Sequence, residues 1–201
     1  MFDRRATALI KPAVNRMAAV LAGWGVGANQ LTWIGFAIGL TAAALIASGH
    51  FRSAIAAILL SRLLDALDGA VARLTRATDA GGFLDITLDF LFYASIPLAF
   101  ALADPASNAL AAAVLLTAFV GTMSSFLAFA VLAAKRNLAN LSVPDKSFYF
   151  LGGLTEAAET LLLFVLMCLW PTHFALLAYG FAALCAITTA TRIWWGWQSF
   201  R

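Results

Sequence analysis

Residues 63–90 read LLDALDGAVARLTRATDAGGFLDITLDF. This stretch sets Asp65, Asp68, Asp85 and Asp89, with Arg73 and Arg76 between the pairs, in a chain of 201 residues that is 63% hydrophobic and only 11% charged. A soluble domain is about one quarter charged, and the mean hydropathy here is +0.89. Composition therefore places the chain in the membrane class. Six apolar stretches reach the length of about 20 residues that a helix needs to cross a bilayer: 31–49, 54–71, 83–103, 109–134, 148–170 and 174–197. The connections between them are short. The expected fold is an all-α integral membrane protein, one membrane domain over residues 1–201 with six transmembrane helices in about residues 29–199.

Ahead of these spans, about residues 6–22 are mildly apolar, and Arg4, Arg5, Lys11 and Arg16 lie in or next to them. That pattern predicts an amphipathic helix lying in the membrane interface. Pro12 places its regular part from about Lys11 onward, because proline suits a first helical turn and not an interior. No apolar run follows the first basic residues directly, so no cleavable signal peptide is expected. With the N-terminus in the cytoplasm, Arg73, Arg76, Lys135, Arg136, Lys146 and Arg201 also fall inside, while the outer connections hold little beyond Arg52. This asymmetry predicts a multi-pass protein of the cell's inner membrane with both ends cytoplasmic. The net charge of +3 then serves anionic lipid head groups, and nucleic acid is not an expected partner. Cys168 and Cys185 have no metal-binding spacing and read as small buried apolar residues.

The carboxylates need a reason. A charge near the bilayer centre costs at least ~2.5–3.5 kcal/mol. Asp65 and Asp68 share one helix face, as do Asp85 and Asp89 on the next helix. A short connection makes the two helices antiparallel neighbours, so the two acidic pairs meet across a gap. Gly69, Ala72, Gly81 and Gly82 leave room there for close approach. Oxygen-only ligands suit a hard divalent ion, Mg²⁺ or Mn²⁺, and two ions with a diphosphate would balance four carboxylates, as in two-metal phosphoryl transfer. The bland alternative is an ion-pair network holding helices together, Arg62 with Asp65 and Arg73 with Asp68 or Asp89. Such pairs stabilise weakly.

Written out, the stretch is Asp65-x2-Asp68-Gly69-x2-Ala72-Arg73-x7-Gly81-x3-Asp85-x3-Asp89. It resembles the signature of the CDP-alcohol phosphotransferases, also called class I CDP-alcohol phosphatidyltransferases, and looks like a short bacterial branch of that family. The resemblance implies a membrane enzyme of phospholipid synthesis, usually a homodimer. It would transfer a phosphatidyl group from CDP-diacylglycerol to a small polar alcohol and release CMP. It implies that Asp65, Asp68, Asp85 and Asp89 hold two divalent ions and that Asp89 is also the general base. Gly69, Ala72, Arg73 and Gly81 would surround the cytidine diphosphate, with the active site open to the cytoplasm. Asn29 and Thr32 resemble a position beside the nucleotide, although Asn29 also reads as a helix N-cap.

The acceptor is carried by weaker signals. Arg192 interrupts the last apolar stretch near its cytoplasmic end, and Lys135 follows the fourth. Both favour a phosphorylated polyol such as glycerol 3-phosphate. Glu156 and Glu159, one turn apart in the fifth stretch, would instead suit a non-phosphorylated acceptor such as inositol, serine or a choline-like alcohol. Alternatively they pair with Arg192 or Lys135. A cation or proton transporter is the competing reading for intramembrane carboxylates. It expects acids spread along a path and often an internal repeat. The chain has no visible repeat, and its motif acids cluster on one side.

Overall fold

The computed structural model describes residues 2–136 and 155–201, the side chains from residue 11 onward. The described residues form seven α-helices and one 3-10 turn: α1 Phe2–Gly23, α2 Ala28–Ala47, α3 Phe51–Leu74, α4 Asp79–Ala103, α5 Pro105–Lys135, α6 Ala157–Leu169, the turn Pro171–His173, and α7 Phe174–Phe200. No strand occurs among them. Among the described residues four segments are long and apolar enough to cross a membrane: α2, α4, α5 and the stretch of the 3-10 turn with α7. The 24 residues of α3 have the length, but Arg52, Arg62, Asp65, Asp68 and Arg73 break its apolar character. Apolar α6 has only 13 described residues. The expected start of the fifth span, with Lys146, Gly152 and Gly153, lies outside the described residues.

α1 begins earlier than Pro12 suggested: the helix runs from Phe2 through Pro12 without a break. A proline removes one backbone donor, and exposed Pro12 leaves room for the helix to continue on both sides. The buried side of α1, Val14 and Ala18, packs with Leu31, Leu67, Ala70 and Val71. That contact seats α1 against the half of α3 that carries the aspartates.

α2 packs closely on α3 and α4 because its facing residues are small. A side-chain carbon on Gly39 would stand 2.6 Å from the Phe92 ring and 3.0 Å from Ser61 Oγ, so only glycine fits. Ser61 Oγ donates to the Gly35 carbonyl at 2.7 Å, tying α3 to α2 at the same level. The main core runs from Phe92, beneath Arg62, to an aromatic stack at the opposite end of the bundle from the aspartates. Phe51 stacks on Phe100 at 5.7 Å and Phe100 on Phe174 at 4.5 Å. This end is closed by the cap of α5: Asp104 Oδ1 accepts the Ser107 N–H at 3.2 Å, and Pro105 follows at the first turn. Buried Asn108 donates to the Phe100 carbonyl at 3.1 Å. Cys168 and Cys185 are buried free thiols.

Candidate active site

α3 and α4 are antiparallel, joined by residues 75–78. Thr78 starts α4, its side chain accepting the Gly81 N–H at 3.1 Å. This hairpin faces the two acidic pairs toward each other. Carboxylate oxygens of Asp65, Asp68 and Asp85 all lie within 4.8 Å of one another. Asp68 is 4% exposed, and its Oδ2 is buried without a hydrogen-bond partner among the described residues. A buried carboxylate oxygen without a partner, beside two further carboxylates, is costly unless a cation neutralises it. The three side chains offer only oxygen, the donor set of a hard divalent ion. These residues fit a divalent cation.

Asp89 is placed differently. It is held by Arg62, whose Nη1 donates to Asp89 Oδ1 and also lies 3.4 Å from Asp65 Oδ1. The Arg62 guanidinium sits 3.9 Å from the centre of the Phe92 ring and 5.6 Å from that of Tyr93. The structural alternative raised by the sequence is thus half present. Arg62 does pair with aspartates, but Arg73 is exposed and makes no such pair among the described residues.

Two cavities flank the carboxylates. The first, about 150 Å³, is lined by Asn29, Thr32, Asp68, Gly69, Ala72, Gly81 and Asp85, with Arg76 and Thr78 completing the wall. Five of the six residues assigned to the nucleotide from sequence therefore share one cavity, and Arg73 is the one outside it. Gly81 lies close to the wall here: a side-chain carbon would stand 2.9 Å from Asn29 Oδ1, which would have to shift. Asn29 does not cap its helix. Gly27 does that, its N–H bonded to Gln30 Oε1 at 3.0 Å.

The second cavity, about 180 Å³, lies on the other side of Asp89 and is lined by Asp89, Tyr93, Thr122, Glu156, Thr160 and Arg192, among others. Arg192 Nη1 donates to the Thr122 carbonyl at 2.9 Å, which anchors the guanidinium in the cavity wall. The two glutamates part company. Glu156 faces the cavity, whereas Glu159 accepts the Glu156 N–H at 3.2 Å and serves the start of α6. Lys135 is exposed at the end of α5 and does not line the cavity. Between the two cavities is a narrow gap lined by Thr32, Arg62, Asp65, Asp85 and Asp89. Thr32 and Asp85 border the gap and the first cavity, and Asp89 borders the gap and the second.

Sequence reasoning missed Arg76 and Tyr93 as wall residues, and gave Arg62 only a structural role. The signal for Arg62 was available: a cation three residues before Asp65 in an apolar helix sits on the same face.

Residues 26–195 match the family described as CDP-alcohol phosphatidyltransferase. The chain belongs to this family. Its members are enzymes that transfer phosphatidyl groups, so the paired aspartates belong to a transferase. Among relatives, the inner membrane protein YnjF of Escherichia coli (strain K12) is 54% identical over 201 residues, covering 100% of this chain and 98% of its own. Archaetidylinositol phosphate synthase of Pyrococcus horikoshii is 43% identical over 99 residues, 46% of this chain and 50% of its own length. The chain thus aligns with about half of that relative. In fold it resembles Mycobacterium tuberculosis phosphatidylinositol phosphate synthase, solved with CDP-DAG bound and with manganese and citrate. The TM-score is 0.67 at 20% identity, covering 92% of this chain and 93% and 88% of those chains.

Proposed function

We propose that this phosphatidyltransferase moves the phosphatidyl group of CDP-diacylglycerol to a hydroxyl of a small phosphorylated polyol and releases CMP. The observation that carries the reading is the position of Asp89, between a cavity bordered by the aspartate cluster and a cavity bordered by Arg192. In this reading Asn29, Thr32, Gly69, Ala72 and Gly81 take the nucleotide, with Arg76 and Arg73 meeting diphosphate charge. Asp65, Asp68 and Asp85 hold a divalent ion, Mg²⁺ or Mn²⁺, and Asp89 completes the set for a second. Bound there, the ion would stabilise negative charge on the diphosphate as it develops.

Asp89 takes the proton of the acceptor hydroxyl. The freed oxygen forms a bond to the phosphorus that carries the diacylglycerol, the bond from that phosphorus to the CMP oxygen breaks, and CMP departs with the electron pair. A carboxylate is a weak base, and base catalysis of this kind contributes about 10²–10⁴-fold. Arg192 would bind the acceptor's phosphate, since an anchored guanidinium matches phosphate geometry. Glu156 would accept from the polyol's other hydroxyls. The relatives named archaetidylinositol phosphate synthase and phosphatidylinositol phosphate synthase support inositol phosphate as the first acceptor to try, beside glycerol 3-phosphate.

For the membrane frame, we place six spans across the inner membrane, counting α3 and the full segment that contains α6, with α1 in the interface. The excess of Lys and Arg near the aspartate end supports a cytoplasmic active site. A homodimer is the assembly the family resemblance favours.

The test is CMP release by protein purified in detergent, supplied with CDP-diacylglycerol, Mn²⁺ and one acceptor at a time: inositol phosphate, glycerol 3-phosphate, inositol, serine or glycerol. CMP together with a new phosphorylated lipid is expected from a phosphorylated polyol only, and Arg192→Gln should raise the KM for that acceptor. Turnover with inositol or serine instead would move recognition to Glu156. Absence of CMP with every acceptor would contradict the transferase reading of these cavities.

A further inference from the structure

Four aromatic residues border the second cavity, Phe90, Tyr93, Phe119 and Phe126, and of these four Tyr93 alone carries a hydroxyl. Its ring is seated as a phenylalanine would be. It meets Phe92 edge-on at 5.5 Å and Phe164 at 6.0 Å, and neither neighbour exposes any surface. The packing therefore accounts for the ring and not for the oxygen. A hydroxyl taken out of water costs free energy unless it finds a hydrogen-bond partner. Its direction follows from the helix. Asp89 and Tyr93 are four residues apart on α4, so they share a face, and both border the cavity. Helical side chains lean toward the N-terminus of their helix. α4 begins at the aspartate end, so the phenol leans back toward Asp89. The Arg62 guanidinium lies 5.6 Å from the centre of the ring. A guanidinium only donates, so the Tyr93 oxygen can accept on that side while its O–H remains to donate to what enters the cavity.

We propose that Tyr93 donates a hydrogen bond to the acceptor hydroxyl next to the one that attacks, so that the site selects a polyol with two adjacent hydroxyls. The inference rests on the reading of the second cavity as the acceptor site. A donor aimed at the attacking oxygen itself would draw electron density from the nucleophile. The neighbouring hydroxyl accepts from Tyr93 without that penalty. Arg192, on a different helix, takes the acceptor's phosphate. Two points of the acceptor are then held from two helices, and the attacking hydroxyl is turned toward Asp89, one helical turn from Tyr93. Holding a reactant in this way lowers the barrier by orientation and adds no new chemistry. Glu156 is left to hydroxyls farther along a larger polyol.

The experiment crosses this residue with the acceptor. CMP release by protein in detergent, with CDP-diacylglycerol and Mn²⁺, is compared for glycerol 3-phosphate and 3-hydroxypropyl phosphate, which keeps the phosphate and the terminal hydroxyl but lacks the adjacent one. Inositol phosphate is compared in the same way with a deoxy analogue lacking the hydroxyl beside the attacking one. Wild type should favour the intact polyol by about tenfold in kcat/KM, the worth of one neutral hydrogen bond. In Tyr93→Phe, which keeps the ring, that preference should fall toward parity because the intact polyol loses and the deoxy analogue does not. Melting temperature and binding of CDP-diacylglycerol should stay at wild-type values. Wild type without a preference, or Tyr93→Phe slowing both acceptors equally, would overturn the proposal and leave the transferase reading standing. No CMP from folded wild type with any polyol phosphate would contradict the acceptor reading, and the proposal would fall with it.

Discussion

The two ends of this bundle are made by the same helices and are built on opposite rules. At one end Phe51, Phe100 and Phe174 stack within 5.7 Å of their neighbours, and Phe100 and Phe174 expose no surface. At the other end the same α3 and α4 carry Gly69, Ala72, Gly81 and the aspartates, and cavities remain between the helices. Large flat rings fill space and exclude water. Small residues leave space, and the carboxylates ensure that polar matter enters it. The difference teaches that stability and chemistry are separated along the helix axes. The aromatic end holds the helices in register, and the acidic end uses that register to face two pairs of carboxylates.

This division can be broken from either side. The largest effect is expected from Asp68→Asn, which removes a buried carboxylate from the aspartate cluster. Cation binding should be lost and CMP release with it, while the melting temperature in metal-free detergent stays near wild type. A lowered melting temperature with retained turnover would show that Asp68 belongs to the packing. Next is Phe100→Ala at the aromatic end. Truncating a buried phenylalanine costs about 3–5 kcal/mol, so thermal unfolding should move down sharply, with Mn²⁺ affinity of the folded protein unchanged. A loss of cation affinity there would mean that the two ends are coupled.

The smallest effect concerns Asp104, at the aromatic end but exposed to solvent. Its carboxylate caps α5, and the bonds from Ser107 hold it below the ordinary carboxylate range. A carboxylate whose folded pKa is depressed stabilises the protein above its unfolded pKa, and that contribution fades as pH falls through the folded value. Asp104→Ala should therefore lower the melting temperature slightly at neutral pH, and the gap to wild type should close on strong acidification. A gap that persists unchanged in acid would show that the cap does not act through the ionised carboxylate.

Much of the acidic end was legible in the sequence, because its information is local. The spacing of Asp65 with Asp68 and of Asp85 with Asp89 fixes helix faces, and a short connection fixes their antiparallel partnership. Gly81 was legible for the same reason. Arg73 was not: its helical phase leaves it exposed, while Arg76, past the end of α3, turns into the cavity wall. The second cavity could only be guessed residue by residue. Asp89, Thr122 and Arg192 come from three separate helices and Glu156 from the residue just before α6, and their meeting depends on how α5 packs on α7. Glu156 and Glu159 show the limit most clearly. They are one turn apart with the same chemistry, and only the path of the backbone into α6 sets Glu156 in the cavity wall and turns Glu159 back to the Glu156 N–H.

In the proposed function Asp89 works between the two cavities as the base. Asp89→Asn measured beside wild type tests it most directly, by CMP release with CDP-diacylglycerol and acceptor and, separately, by Mn²⁺-dependent binding of CDP-diacylglycerol. The account predicts turnover reduced by about 10²–10⁴-fold with donor binding intact. Turnover near wild type, or loss of donor and Mn²⁺ binding together, would contradict it.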